Sequence, residues 1–211
     1  MKITKFGHSC LLVEENGVKI LFDPGEWSDL PVDLSSIDRV LITHNHGDHL
    51  DPEKIKVVLA KNPNAIVMTN EEVGKTLTEN QIPFQLLEDG ESETVNGVII
   101  EGFGKEHALV HLDIPVAKNT GYLINSKLWH PGDSLLVPPK PVSILALPIV
   151  APWEKVSETM DYLTTIKPEY CVPIHDAFLK FEGLYDRFAR MWCEKIGAKY
   201  VELPIGQEVE I

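Results

Sequence analysis

The 211-residue chain reads as an α/β protein, and three observations carry that reading. Paired short strands open each half, around an Asn16-Gly17 turn in the first and at Gly121–Asn125 with Lys127–His130 in the second. Helix and strand then alternate in both halves. Apolar runs such as Val142–Leu147 are continuous, which suits strands covered on both faces. The combination is compatible with two sheets packed face to face and helices on both outer faces. Nothing in the sequence marks a linker or a solenoid repeat, so a single domain over residues 1–211 is expected.

Strands are expected at Lys2–Phe6, Cys10–Glu14 and Val18–Asp23, the last two joined by the Asn-Gly turn. A loop holding Pro24, Gly25 and Pro31 leads to Arg39–Thr43, β-branched and apolar, as a buried strand. Asp51 as N-cap and Pro52 at the first helical position start a helix over Pro52–Lys61. A strand at Ala65–Thr69 and a helix at Glu71–Asn80 follow, then extended segments from Phe84 to Phe103 with a second turn at Asn96-Gly97. After the Gly121–His130 pair and the Val142–Leu147 strand, the 3.6-residue spacing of Val156, Met160, Leu163 and Ile166 gives a helix over Trp153–Ile166. Tyr170–Ile174 is the next strand, Phe181–Ile196 a helix stopped by Gly197, and Lys199–Leu203 and Glu208–Ile211 close the chain.

Chemistry concentrates in His44-Asn45-His46-Gly47-Asp48-His49, which sets three imidazoles and a carboxylate on one strand-to-helix loop. Imidazole and carboxylate are the preferred ligands of Zn²⁺ and similar ions, and no Lys or Arg interrupts the set. Gly47 is expected to supply the tight backbone the loop needs. A net charge of −13 disfavours nucleic acid as a partner. No apolar stretch reaches the ~20 residues of a membrane span, and the early apolar run is too short and interrupted for a signal peptide. Cys10, Cys171 and Cys193 are an odd set without metal or disulfide spacing, which points to reduced thiols and a cytoplasmic location.

The cluster and its surroundings resemble the metallo-β-lactamase superfamily. Val18–Asp23 matches the first of its five motifs and the histidine cluster the second. Gly104-Lys105-Glu106-His107, Trp129-His130-Pro131-Gly132-Asp133 and Val172-Pro173-Ile174-His175-Asp176 match the remaining three in order. The opening Phe6-Gly7-His8-Ser9 is most similar to small cytoplasmic hydrolases related to the ascorbate phosphate lactonases. The resemblance implies a four-layer αββα sandwich and a dinuclear site of two divalent transition-metal ions, Zn²⁺ or Mn²⁺. It assigns His44, His46 and His107 to one ion and Asp48, His49 and His175 to the other, with Asp133 bridging. Asp48 and Asp133 are thereby the candidate catalytic carboxylates. His111 competes with His107 for the third motif; the position of His107 just beyond an expected strand end favours it.

Asp23 is expected to accept hydrogen bonds from the cluster loop or a ligand imidazole. His8 reads as a core histidine, with a place behind the ligands as the alternative, and Trp153 as a residue lining the pocket. The implied activity is hydrolysis of a small-molecule ester, lactone or phosphoester by a metal-bound hydroxide, water on Zn²⁺ having a pKa near ~7. The substrate is expected to be anionic, with Lys105, Lys118 and Lys155 as candidate contacts. A homo-oligomer stays open, and the alternative function is a metal-binding ligand sensor or scaffold without turnover.

Overall fold

The computed structural model describes residues 1–181 and 183–211. Its first sheet contains β1 (Lys2–Lys5), β2 (Leu11–Glu15), β3 (Val18–Phe22), β4 (Arg39–Leu41), β5 (Ile66–Thr69) and β6 (Gln85–Leu86) in that spatial order. The second contains β7 (Ser92–Val95), β8 (Val98–Phe103), β9 (Gly121–Ile124), β10 (Leu128–His130), β11 (Ile144–Pro148), β12 (Tyr170–Ile174) and β13 (Lys199–Tyr200), again in sequence order across the sheet. Both sheets start antiparallel and end parallel: β3 to β6 run parallel in one, β10 to β13 in the other. The last strand, β14 (Glu208–Glu210), returns to the first sheet and pairs antiparallel with β1. That return ties the two halves together through the chain's ends.

Alternation along the strands sorts side chains into three apolar layers. Ile20 and Phe22 of β3 face Ile144 and Ala146 of β11 in the layer between the sheets. Leu21 of β3 points the other way, onto helices α1 (Pro52–Lys61) and α2 (Glu71–Glu79), through Ile55, Val58, Val73 and Leu77. Leu145 and Leu147 likewise point outward to α3 (Val156–Ile166) and α4 (Asp186–Ile196), meeting Met160, Leu163, Ala189 and Cys193. The result is the four-layer α/β/β/α sandwich.

Local chemistry sets the turns and caps. Asn16 (φ 51°) and Gly17 (φ 80°) are both left-handed, as are Asn96 (φ 47°) and Gly97 (φ 84°), the pattern of tight type I′ hairpins. Asp51 accepts from Glu53 N and Lys54 N at the start of α1, and Gly197 closes α4 in the left-handed conformation.

Two helices begin later than their periodicity suggests. In place of Trp153, α3 starts at Val156 with Lys155 as N-cap, because Trp153 turns toward Asp133 instead of joining the helix. In place of Phe181, α4 starts at Asp186, because Gly183 at φ 77° breaks helical geometry; Glu182 lies outside the described residues. Strand β4 ends at Leu41, not Thr43, because Thr43 gives its amide to Asp23 at 2.8 Å. Among the described residues no helix is long and apolar enough to cross a membrane.

Candidate metal centre

The side chains singled out by the sequence follow the carboxyl ends of strands. Asp23 follows β3, the histidine cluster β4, His107 β8, Asp133 β10 and His175 β12. A rigid sheet therefore sets the positions from which the loops converge. The seven candidate ligands, with His8 as an eighth residue, come together in two adjoining groups. His44, His46, His107 and Asp133 form one; His8, Asp48, His49 and His175 form the other, with one ligand atom of each residue within 4.8 Å of the rest of its group. Asp133 stands between them: its Oδ1 is 3.1 Å from His49 Nε2, and its Oδ2 is 2.9 Å from His175 Nε2 and 3.3 Å from His107 Nε2.

Hydrogen bonds behind the rings fix which nitrogen faces the centre. His107 Nδ1 donates to the Ala108 carbonyl at 2.6 Å, and His175 Nδ1 to the Val150 carbonyl at 2.8 Å. His49 Nδ1 donates to Asp23 Oδ2 at 2.8 Å. Thr43 Oγ1 gives its own proton to Asp23, so its oxygen accepts from His44 Nδ1 at 3.0 Å. With each Nδ1 proton committed, each Nε2 presents its lone pair inward. His46 differs: its Nδ1 faces the group, 3.1 Å from His44 Nε2.

These atoms meet each other without hydrogen-bonding. His49 Nε2, His107 Nε2, His175 Nε2 and Asp133 Oδ1 are buried with no hydrogen-bond partner. Leaving such groups unpartnered costs about 1–3 kcal/mol each. A cation in their midst would satisfy all of them, so the donor set fits a pair of divalent ions. Its nitrogen and oxygen atoms suit Zn²⁺, Mn²⁺ and neighbouring transition ions. Cys10, Cys171 and Cys193 are free, buried, and in neither group.

Electrostatics agree. Burial alone would raise the Asp133 carboxyl, yet His49, His175 and His44 around it hold it well below the ordinary range. Burial likewise opposes charge on His49 and His175, but Asp133 outweighs it at both, with Asp23 helping at His49, and their pKa values rise. His44, with more imidazoles than carboxylates near, is pushed well below its ordinary value by burial. Without ions, Asp133 therefore favours a second proton on His49 and on His175, at the same Nε2 atoms an ion would take.

The backbone is strained around the centre. His8 (φ 44°), Asp23 (φ 42°) and His175 (φ 63°) are all left-handed, a conformation costly for residues with a Cβ. Gly132 (φ 62°) makes the sharp exit before Asp133, and a Cβ there would strike Asn119 and Thr43. The glycine that the cluster loop needs is Gly25, not Gly47. A Cβ on Gly25 would collide with the Asp48 and His49 backbone, whereas one on Gly47 would meet only the Glu26 carboxylate, at 3.1 Å.

Other candidates resolve individually. Asp23 accepts from Thr43 N, Thr43 Oγ1 and His49 Nδ1, each at 2.8 Å. His111 is exposed, lies in neither group, and accepts from the Asp113 amide, whereas His107 is in the first group. His130 lies behind the site, stacked on Phe22 and 3.1 Å from the Ser9 carbonyl. Trp153 Nε1 donates to Asp133 Oδ2 at 3.0 Å. Lys105, Lys118 and Lys155 pair with Asp89, Glu71 and Glu158.

His8 takes the alternative place the sequence offered it, and one residue escaped the sequence reading. Buried as a core histidine would be, His8 also places Nε2 3.1 Å from Asp48 Oδ2, behind that candidate ligand. Glu154 buries both carboxylate oxygens without a partner, and burial pushes it up to about 8. A Glu ahead of a helix start reads as solvated, and no sequence signal marked it.

A protein of this fold with two adjoining His/Asp groups at strand ends belongs to a recognisable class of metalloprotein. A family model for the β-lactamase superfamily domain matches residues 2–175, and the chain belongs to that superfamily, the metallo-β-lactamases. It is 38% identical over 184 residues to Protein Rv0786c of Mycobacterium tuberculosis, covering 85% of each chain. It is 27% identical to a UPF0173 metal-dependent hydrolase of Methanocaldococcus jannaschii, covering 99% of this chain and all (100%) of that one. Among solved structures it is similar to Igni18, a metallo hydrolase from Ignicoccus hospitalis, with a TM-score of 0.79 at 23% identity, covering 99% and 97% of the two chains.

Proposed function

We propose that this metal-dependent hydrolase cleaves an ester, lactone or phosphoester bond in a small molecule. The observation that carries the reading is the convergence of unpartnered, buried His49 Nε2, His107 Nε2, His175 Nε2 and Asp133 Oδ1 on shared points. His44, His46 and His107 would hold one ion and Asp48, His49 and His175 the other, with Asp133 between them; Zn²⁺ or Mn²⁺ suits this set. Such ions, when bound, polarise a substrate oxygen and bring the pKa of a coordinated water to ~7.

The chain's own groups do the rest. Asp23 and the Ala108 and Val150 carbonyls hold three imidazoles in one tautomer, so their lone pairs need no reorganisation. Trp153 fixes Asp133 by its indole N–H. Asp48, half-buried beside exposed His46, marks the open side where substrate enters. The His8 hydrogen bond and His49 outweigh burial and bring its carboxyl to about 2, so it stays ionised and accepts a hydrogen bond there.

Bis(p-nitrophenyl) phosphate, p-nitrophenyl acetate and a γ-lactone, each offered to protein loaded with Zn²⁺ or Mn²⁺, test the proposal. Turnover of at least one, abolished by chelation and in His44→Ala/His46→Ala, is the expected result. Two bound ions with no turnover of any of the three would overturn it in favour of a sensor or scaffold.

A further inference from the structure

Among the described residues, seventeen large apolar side chains are exposed, and their distribution is uneven. Ten of them lie on the three loops that leave candidate ligands: five after His107, two after Asp133 and three after His175. The segment Ala108–Val116 is the densest. Leu112 is 86% exposed, and Leu109 and Ile114 are each 51% exposed. A loop that merely connects strands would be polar, since nothing is gained by holding leucine and isoleucine in water.

This apolar loop is rooted at the metal centre. His107 N donates to the Ala117 carbonyl at 2.9 Å, closing the loop on itself, and Ala108 N donates to the Asp133 carbonyl at 2.8 Å. Its first residue thus hangs from the ligand that stands between the two groups. Aromatic rings continue the apolar rim around the other group. Phe178 lies 5.8 Å from the His175 ring and 5.9 Å from Trp27, which is itself 4.9 Å from His8. The three nearby lysines that could have bound an anion are instead paired with Asp89, Glu71 and Glu158.

We propose that the substrate carries an apolar arm, an alkyl or acyl chain of several carbons next to the scissile bond, and that the Ala108–Val116 loop together with Trp27 and Phe178 receives it. The inference rests on the hydrolytic reading above and names the substrate class for that same site. Continuity with the candidate ligands selects the occupant: an arm attached to a bond held between the two His/Asp groups falls on side chains that start one residue from His107 and three from His175.

The test is a chain-length series of p-nitrophenyl acetate, butyrate and hexanoate on the metal-loaded protein. Full burial of a methylene is worth roughly a fourfold gain in binding, so kcat/KM should rise by about two- to fourfold per added CH₂, carried by KM. Leu112→Asn/Ile114→Asn should flatten that series with metal content unchanged, while Val57→Asn, an exposed apolar position on α1, should leave it intact. Butyl- and octylphosphonate binding, measured by titration calorimetry, gives a readout independent of turnover. Equal kcat/KM across the series with equal phosphonate affinities would overturn the inference and leave the hydrolytic reading standing. Tighter octylphosphonate binding with no ester turnover would leave the inference standing and sink the hydrolytic reading. A wild-type dimer that the loop variant converts to a monomer, with the chain-length slope unchanged, would make the loop a contact between copies and overturn the proposal.

Discussion

Asp23 Oδ2 accepts a 2.8 Å hydrogen bond from His49 Nδ1, and both side chains are completely buried. The same carboxylate takes the amide and hydroxyl of Thr43, so one residue fixes the strand exit before the cluster and the ring that ends it. Asp23→Ala should weaken binding of the ion held by His49 by about 10- to 100-fold, measured by chelator competition. It should also lower stability by roughly 1–3 kcal/mol, since the Thr43 amide is left unpaired. Unchanged metal affinity in a folded variant would show that the ring keeps its orientation without Asp23.

His8 stands in the same relation to Asp48. The Ala177 amide donates to His8 Nδ1 at 3.4 Å, which leaves the ring proton on Nε2, 3.1 Å from Asp48 Oδ2. Burial lowers the His8 pKa to about 4, so the ring is neutral near pH 7 and acts as a donor, not a cation. Glutamine can replace that donor; alanine cannot. His8→Gln should therefore keep metal content and His8→Ala should reduce it, both read by plasma emission. Equal loss in both variants would make His8 itself a ligand.

Much of this architecture is legible from residue order alone. The His44–His49 loop, the Asp51-Pro52 helix start and the Asn-Gly hairpins are local signals, complete within a few residues. The alternation that puts Leu21 on one face and Phe22 on the other is equally local. What the sequence could not carry depends on distant partners. Helix α3 begins late because Trp153 is drawn to Asp133, twenty positions away in sequence. Gly25 is required by backbone from the cluster loop and not by its own neighbours. His8 meets Asp48 only after β1 and β4 are brought into one sheet, and Glu154 is buried only once α3 has docked.

Metal uptake should release protons. In the metal-free protein Asp133 keeps His49 and His175 protonated above their ordinary range, and an ion must displace those protons from Nε2. Uptake should release protons from the pair, seen as buffer-dependent enthalpies in calorimetry, and affinity should increase as pH rises. The sign for metal-free stability is opposite. Raised histidine pKa values give stability that is full below the unfolded value of ~6.5 and is lost as pH rises through the folded values. The chelated protein should therefore melt lower at pH 9 than at pH 6, with the difference reduced once ions are bound. A chelated protein whose melting temperature rises over that interval would contradict the proton-for-metal exchange.

Asp133 touches both groups, and its replacement should disturb both. Its Oδ1 lies 3.1 Å from His49 Nε2, its Oδ2 2.9 Å from His175 Nε2 and 3.9 Å from His44 Nε2. Removing the carboxylate leaves at least five imidazoles facing one another with a single ligand carboxylate, Asp48, on the open side. Two dications then gain less compensating charge, and each loses a ligand atom. Asp133→Ala should lower occupancy of both ions together, and Asp133→Asn, which keeps an oxygen but not the charge, should retain part of it. Anomalous scattering from crystals soaked in Zn²⁺ separates the two positions. Full occupancy at His44, His46 and His107 with loss only at Asp48, His49 and His175 would make Asp133 a terminal ligand of one ion instead of a shared one.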